Sequence, residues 1–447
     1  MNANLPAWFA SLSIAAAMSK SSLPAILGGR PAVTLDATAA NRWPILTAED
    51  ECAVLEVLRH GNLSTHPVIR ELERDYARFA GVPHALAHCN GTAALLAAFF
   101  AIGLQPGDEV LVPSATFWAS VLPMLWLGAV PVFCESEPAR LGLDPADAER
   151  RITPRTRAMV VVHLWGMPSR MTELRALADR HGLKIVEDAA HAHGAEWRGE
   201  KCGALGDVSV FSLQSGKLAP AGEGGIFLCR DERHFERAAC LGDITRIIEL
   251  PGAARRFAAT GFGMKTRIAP LSAAVARGQL RHLPARNERR NASVIYLSRR
   301  LEPLGLHTFL APGHLRRVYF EFIVRHDEAR LPLPRDLLVA ALRAEGCEVS
   351  APRYPLLHQQ PFFTEGHFAE ILRASTGPAP IYRPEALPLT EAGNATLLKL
   401  PSFPSAEKEL LDQYAEAFEK VAAHAGEIAA GSGGTAFPPP HPNAQPA

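Results

Sequence analysis

Residues Val208 to Gly225 read VSVFSLQSGKLAPAGEGG and set one lysine, Lys217, between a short apolar strand and a glycine-rich loop. Upstream, Lys184 to Gly194 (KIVEDAAHAHG) carries Asp188 just past another apolar strand, with His191 three residues further on. A lysine whose pKa is lowered by burial or by nearby charge can form a Schiff base; an arginine cannot. Only eight of the 46 basic residues here are lysines, so a lysine at this place is informative. A carboxylate able to hold a protonated pyridine nitrogen completes the minimum set for pyridoxal phosphate chemistry. Each residue has a plainer reading: Lys217 as one more solvated lysine, Asp188 as the cap of the next helix.

Other residues would complete such a site. Asn90-Gly91-Thr92 opens an apolar helix directly after a strand, and the free N–H groups there, with the Thr92 hydroxyl, make a phosphate cradle. Ser212, five residues before Lys217, can add a second hydroxyl. Phe117 in PSATFWAS follows a strand and can stack on a planar ring, or simply pack in the core. If the chain turns helical after Asp188, His191 returns to the same face and can reach a cofactor ring, while Glu187 points the other way. The sequence holds no G-x-x-x-x-G-K-[ST], H-E-x-x-H or G-x-S-x-G, and no G-x-G-x-x-G follows its first strand. The histidines do not cluster at metal-ligand spacing, and no metal is expected.

These residues need strand ends to bring them together. Apolar runs predict strands at Ala85–His88, Glu109–Val112, Val130–Cys134, Ala158–His163, Leu183–Glu187 and Val208–Ser212, with Gly225–Cys229 returning antiparallel. Helices are expected at Ala48–Arg59, Pro67–Ala80, Gly91–Ile102, Ser120–Leu127 and Met171–Arg180. Alternation at this pitch implies an α/β fold with a mostly parallel sheet between helices, whose ligands sit beyond the carboxyl ends of the strands. After about Ala269 a long arginine-rich helix (Ala273–Arg300) leads to a smaller α/β region. That region should contain a strand from Val318, a helix at Pro334–Glu345, a strand at Glu348–Ala351 and a last helix to Ala423. The expected division is a leader at 1–22, a large domain at 23–270, a connector and small domain at 271–425, and a disordered tail at 426–447.

Composition narrows the partners. Formal net charge is zero across 447 residues, which removes any electrostatic case for nucleic acid or an anionic membrane. The seven cysteines are scattered without C-x-x-C spacing, as expected of a reducing, cytoplasmic setting. Met1 to Ser22 is mildly apolar, but it has no basic n-region and serines interrupt it.

NGTAAL from Asn90, PSATFWAS from Pro113, EDAAHAHGA from Glu187, FSLQSGKLAPAGEGG from Phe211 and AAVARGQL from Ala273 stand in one order along the chain. Together they resemble the DegT-type aminotransferase family over roughly Leu23 to Ala423. The resemblance implies a fold type I pyridoxal-phosphate transferase with a seven-stranded large domain and a smaller C-terminal domain. It implies Lys217 as the aldimine lysine, Asp188 on the pyridine nitrogen, His191 at the ring or its phenolic oxygen, and Phe117 stacked on the ring face. Gly91, Thr92 and Ser212 would hold the phosphate, with Gln214 nearby. The form SLQSGK is similar to the cyclitol aminotransferase and 3-amino-5-hydroxybenzoate synthase branch. The implied reaction takes nitrogen from glutamine or glutamate to a keto-sugar or keto-cyclitol. Relatives are homodimers in which a partner segment completes the phosphate site, and here that segment is Gly263 to Ile268, with Lys265 or Arg267 as its cation. The alternatives are a family member that eliminates or aromatises, and a non-catalytic member acting as regulator or partner. Specificity is expected from the loops near Thr245 to Thr260 and from His358 and its neighbours.

Overall fold

The computed structural model describes residues 23–372 and 380–431, so the expected leader and the last part of the tail lie outside the described residues. Seven strands form the main sheet: β1 (His84–His88), β2 (Glu109–Pro113), β3 (Val130–Cys134), β4 (Thr156–Val162), β5 (Lys184–Asp188), β6 (Val208–Ser212) and β7 (Gly225–Cys229). Their order is β1-β7-β6-β5-β4-β2-β3. Neighbours pair in parallel except around β7, which runs antiparallel to both β1 and β6. Strands such as EVLVP in β2 are buried along their whole length because helices cover both faces of the sheet.

This topology sends the chain out at one edge of the sheet after β1, β2, β4, β5 and β6. The segments at Asn90, Ser114, His163, Asp188 and Leu213 therefore converge, as the strand-end argument requires.

The flanking helices follow from local chemistry. Helix α1 (Ala48–His60) starts with a capping box in which Thr47 and Asp50 satisfy each other's backbone N–H groups. Helix α2 (Val68–Ala80) buries Ile69, Leu72 and Tyr76. Helix α3 (Gly91–Ala101) is apolar nearly all round (GTAALLAAFFA) and lies against β6 and β7. The helix expected at Ser120–Leu127 is instead two 3-10 stretches, Trp118–Ser120 and Leu122–Leu127. Pro123 lacks the N–H that an α-helical turn would use there.

The long connector, α4 (Pro270–Leu301), packs against α1 and α2 at one end and against α5 (Lys408–Ala423) at the other. Around it a second core gathers Leu297, Phe322, Leu338, Leu411 and Tyr414. The strand expected from Val318 begins only at Phe322, as β8 (Phe322–His326). The strand expected at Glu348–Ala351 reduces to one bridge, Ser350 to Lys399. The N-terminal arm also joins this core: Glu345 accepts hydrogen bonds from the N–H groups of Ala25 (2.7 Å) and Ala32 (2.8 Å). Disorder was expected from Gly426, yet Ala425–Gly431 is helical, because Ala425 and Ile428 reach the second core.

Candidate active site

Lys217 closes a tight turn after β6, its N–H bonded to the carbonyl of Gln214 (2.8 Å). Its own carbonyl accepts from the indole N–H of Trp43 (2.9 Å). With both ends of the peptide held, the side chain runs into the interior, and Nζ lies 4.5 Å from the ring centroid of Phe320. Burial pushes the amine down from 10.5 to about 8. Asp188 and Glu321 counter that fall, and Arg353 adds to it.

Asp188 ends β5, adjacent to β6. Its carboxylate accepts the Ser120 hydroxyl at 2.7 Å and the Ala190 N–H at 3.0 Å. Ser120 is tied in turn to Thr116 (2.9 Å), so the β2 loop holds the acid in place. Glu187 points to the other side, as strand alternation requires. It accepts from Leu205 N, Gly206 N and Ser209 Oγ, each at 2.9 Å, and from Gly203 N, and it pairs with His163 at 2.9 Å. Burial alone would raise this carboxyl, but His163 and the N–H donors hold it below the usual carboxylate range. The Cys202 thiol completes a trio whose ligand-type atoms lie within 4.8 Å of one another. Since Glu187 is already saturated by donors, the trio works as a clasp on the loop leading into β6. That clasp fixes the strand that carries Lys217.

His191 is buried in a stack of rings. Its ring centroid lies 4.2 Å from that of Phe320, with the planes at 12°, and 5.6 Å from that of Trp165, with the planes at 15°. Nδ1 accepts from the backbone N–H of Trp165 (3.3 Å), leaving the proton on Nε2, which faces the Tyr354 hydroxyl at 3.2 Å. Burial and the positive charge of Lys217 lower its pKa well below the ordinary value, so the ring is neutral. Phe117 stands at the mouth of this stack, 40% exposed and 5.8 Å from Tyr354. This exposure sets it apart from ordinary core packing.

Pyridoxal phosphate fits the residues present. At the α3 N-terminus, a Cβ on Gly91 would lie 2.9 Å from the Ser212 Cβ, and one on Gly225 would lie 2.3 Å from the Asn90 carbonyl oxygen. Backbone and hydroxyl groups thus approach this helix N-terminus as closely as only glycine permits, and the free N–H groups at the positive end of the helix dipole mark it as the candidate phosphate hollow. Gly91, Thr92 and Ser212 are half-buried around it. Gln214 is exposed and bonds back to Gly216 N (2.8 Å) and Ser215 (3.0 Å) within its own turn. Of the two expected partner-reaching cations, Arg267 is engaged at home, with Thr245 (3.2 Å), Ser64 (3.1 Å) and Asp243 (3.9 Å). Lys265 is exposed between Met264 and Thr266.

Several site residues were not read from the sequence: Ser120, Trp165, Phe320, Glu321, Arg353 and Tyr354. PSATFWAS contained Ser120, and a hydroxyl three residues past Phe117 was a usable signal. The other five have no short-range signature. His358, expected near the specificity region, is buried and ties Ser114 (2.6 Å) to Glu391 (3.1 Å). A cavity of about 280 Å³ shares Trp165 and Tyr354 as walls and carries Glu137, Arg325 and Asn394 on its other sides.

Comparison with known proteins agrees with this geometry. Residues 44–419 match the DegT/DnrJ/EryC1/StrS aminotransferase family. The chain is 34% identical over 410 residues to the L-glutamine:2-deoxy-scyllo-inosose aminotransferase of Streptomyces kanamyceticus, covering 87% of this chain and 95% of that protein. It is 36% identical over 384 residues to the dTDP-3-amino-3,4,6-trideoxy-alpha-D-glucose transaminase of Streptomyces venezuelae, covering 84% of this chain and 94% of that one. Among solved structures, it is similar to 3-amino-5-hydroxybenzoic acid synthase with a TM-score of 0.74 and 26% identity, over 89% of this chain and all of that one. A buried lysine and a held aspartate on neighbouring strand ends, a phosphate hollow and a family match across most of the chain lead to one conclusion: this protein belongs to the DegT/DnrJ/EryC1/StrS aminotransferase family and is a pyridoxal-phosphate-dependent aminotransferase of fold type I.

Proposed function

We propose that the enzyme takes its amino group from L-glutamine and delivers it to the keto group of a sugar or cyclitol, in the making of an antibiotic-type metabolite. The observation that carries this reading is the buried Lys217 amine facing the end of β5 that bears Asp188. The relatives named for L-glutamine, for deoxy-inososes and for a trideoxyglucose support this substrate class.

When bound, pyridoxal phosphate supplies an electron sink for the carbon that loses its proton. Asp188, fixed by Ser120, would keep the pyridine nitrogen protonated. Lys217, with an amine pKa near 8, can take a proton from the substrate carbon and return it close to neutral pH. The α3 N-terminus, Thr92 and Ser212 would hold the phosphate dianion, and Phe117 would lie against the ring. Neutral His191 is pinned at both nitrogens, so it positions the ring without adding charge.

The same reading makes the enzyme a cytoplasmic homodimer. All seven cysteines are free, and among the described residues no helix is long and apolar enough to cross a membrane. Ile248, Phe262 and Met264 leave an apolar surface beside Lys265, suited to a second copy whose phosphate hollow Lys265 would complete.

The test is spectral. Purified protein should take up pyridoxal phosphate with a visible absorbance band, and L-glutamine should bleach it; Lys217→Ala should abolish the band's lysine-bound form. A panel of keto-cyclitols and keto-sugars should then restore the band. A second reading, elimination or aromatisation, draws on the likeness to 3-amino-5-hydroxybenzoic acid synthase. It requires product to form with no amino donor present.

A further inference from the structure

We infer that Trp43 and Arg290 form a positioning pair for Lys217, one that aims the reactive amine without touching the substrate; this rests on the aminotransferase reading above. The first observation is the reach of the contact. Trp43 stands in the N-terminal arm, 174 residues before Lys217, and its indole N–H donates to the Lys217 carbonyl at 2.9 Å. The Lys217 N–H is bonded to the Gln214 carbonyl at 2.8 Å, so the peptide groups on both sides of the lysine Cα are fixed. A side chain that must carry a proton to and from one carbon depends on where that Cα stands.

The second observation is what holds Trp43. The Arg290 guanidinium, from α4, lies 3.9 Å from the indole centroid and is 2% exposed. Its Nε and Nη1 are buried without a hydrogen-bond partner, and among the described residues no carboxylate pairs with it. Burial and the like charge of Arg286 press its pKa down to about 9, so it stays a cation at neutral pH. A cation–π contact returns less than the burial of an unpaired guanidinium costs, and an apolar side chain of similar size would fill the place more cheaply. Fold stability therefore does not account for Arg290. Its effect on the indole does: a cation on the ring face draws electron density and strengthens the N–H as a donor to the Lys217 carbonyl. The same helix ties down the arm two residues further on, where Arg286 (2.8 Å) and Gln279 (3.1 Å) donate to the Ile45 carbonyl. The ring is thereby held against the lysine turn.

The experiment uses the full chain and two variants. Trp43→Phe keeps a ring for Arg290 and removes only the N–H, whereas Arg290→Met keeps the bulk and removes the charge. In Trp43→Phe, kcat for transfer from L-glutamine should fall roughly 3- to 10-fold with KM little changed, the loss expected for one hydrogen bond. The pH inflection for capture of pyridoxal phosphate by apoprotein should rise from about 8 toward the ordinary lysine value, because the amine becomes less buried. Asp188, Glu321, Arg353, His191 and His193 face the amine in every variant alike, so the shift reports its position. Arg290→Met should move both readouts the same way by a smaller factor, while its melting temperature stays level or rises. Should Trp43→Phe fold poorly, Arg290→Met carries the same test. A merely structural pair would behave the other way: melting temperature would drop while kcat and the inflection held, and that result would overturn the inference. Wild-type enzyme that takes up cofactor but transfers from no amino donor would overturn the parent reading, and the inflection would still decide the role of the pair.

Discussion

Ser120 donates its hydroxyl to Asp188 across 2.7 Å, joining the loop after β2 to the end of β5. The acid proposed to hold the pyridine nitrogen is therefore aimed from a neighbouring loop as well as from its own strand. Ser120→Ala removes one hydrogen bond to a charged group, worth about 1.5–3 kcal/mol in full. Because Ala190 still donates to the same carboxylate, we expect kcat to fall roughly tenfold, the lower part of that range. Steady-state rates and a melting curve check this; unchanged kcat would mean that Asp188 needs no second support.

The pH dependence of cofactor capture follows from Lys217. Burial lowers its pKa to about 8, so the amine is mostly protonated and unreactive below that pH and mostly neutral above it. Capture of pyridoxal phosphate by apoprotein should rise about tenfold per pH unit up to about 8 and then level off. The negative charge of Asp188 supports the protonated amine, so Asp188→Asn should move the inflection to lower pH. Stopped-flow absorbance from pH 6 to 9 measures both, and an inflection near the free-lysine value would contradict the buried amine.

The close approach at the candidate phosphate hollow can be tested with one added methyl. Gly91→Ala places a methyl 2.9 Å from the Ser212 Cβ, and Gly225→Ala places one 2.3 Å from the Asn90 carbonyl oxygen. Gly91→Ala meets a side-chain carbon at the hollow, so pyridoxal phosphate affinity should weaken at least tenfold while the protein still folds. Gly225→Ala meets backbone and should also lower the melting temperature. Titrating cofactor into each apoprotein separates the two effects.

Lys265 is expected to act in the partner's site. Lys265→Ala should weaken cofactor binding without altering the Lys217 environment. Mixing inactive Lys217→Ala subunits with Lys265→Ala subunits should restore activity, because one of the two sites in each hybrid dimer then carries both native residues. If no activity returns when subunit exchange is shown to occur, Lys265 does not reach across an interface.

How far the sequence could be read depends on the range of each signal. The strands at Val130–Cys134, Val208–Ser212 and Gly225–Cys229 were legible to the residue, because short apolar runs between turn residues report burial on both faces. The positions of Asp188 and Lys217 were legible for the same reason: one ends such a run and the other follows one by five residues. Ser120 went unread although PSATFWAS contains it: it was expected at the start of an α-helix, and it stands at the end of a 3-10 turn, its hydroxyl partner, Asp188, lying 68 residues on.

The chain's own order of residues thus determined the alternating fold, the strand-end placement of amine and acid, and the glycines of the phosphate hollow, all of which rest on local periodicity and backbone sterics. Only the tertiary structure decided what surrounds them. Phe320, Glu321, Arg353 and Tyr354 come from more than a hundred residues beyond Lys217, and Phe320 and Tyr354 reach its surroundings because their segments pack onto the large-sheet core at the strand-end edge. Burial, and with it the lowered pKa of Lys217, is a property of that packing, and no spacing along the chain encodes it.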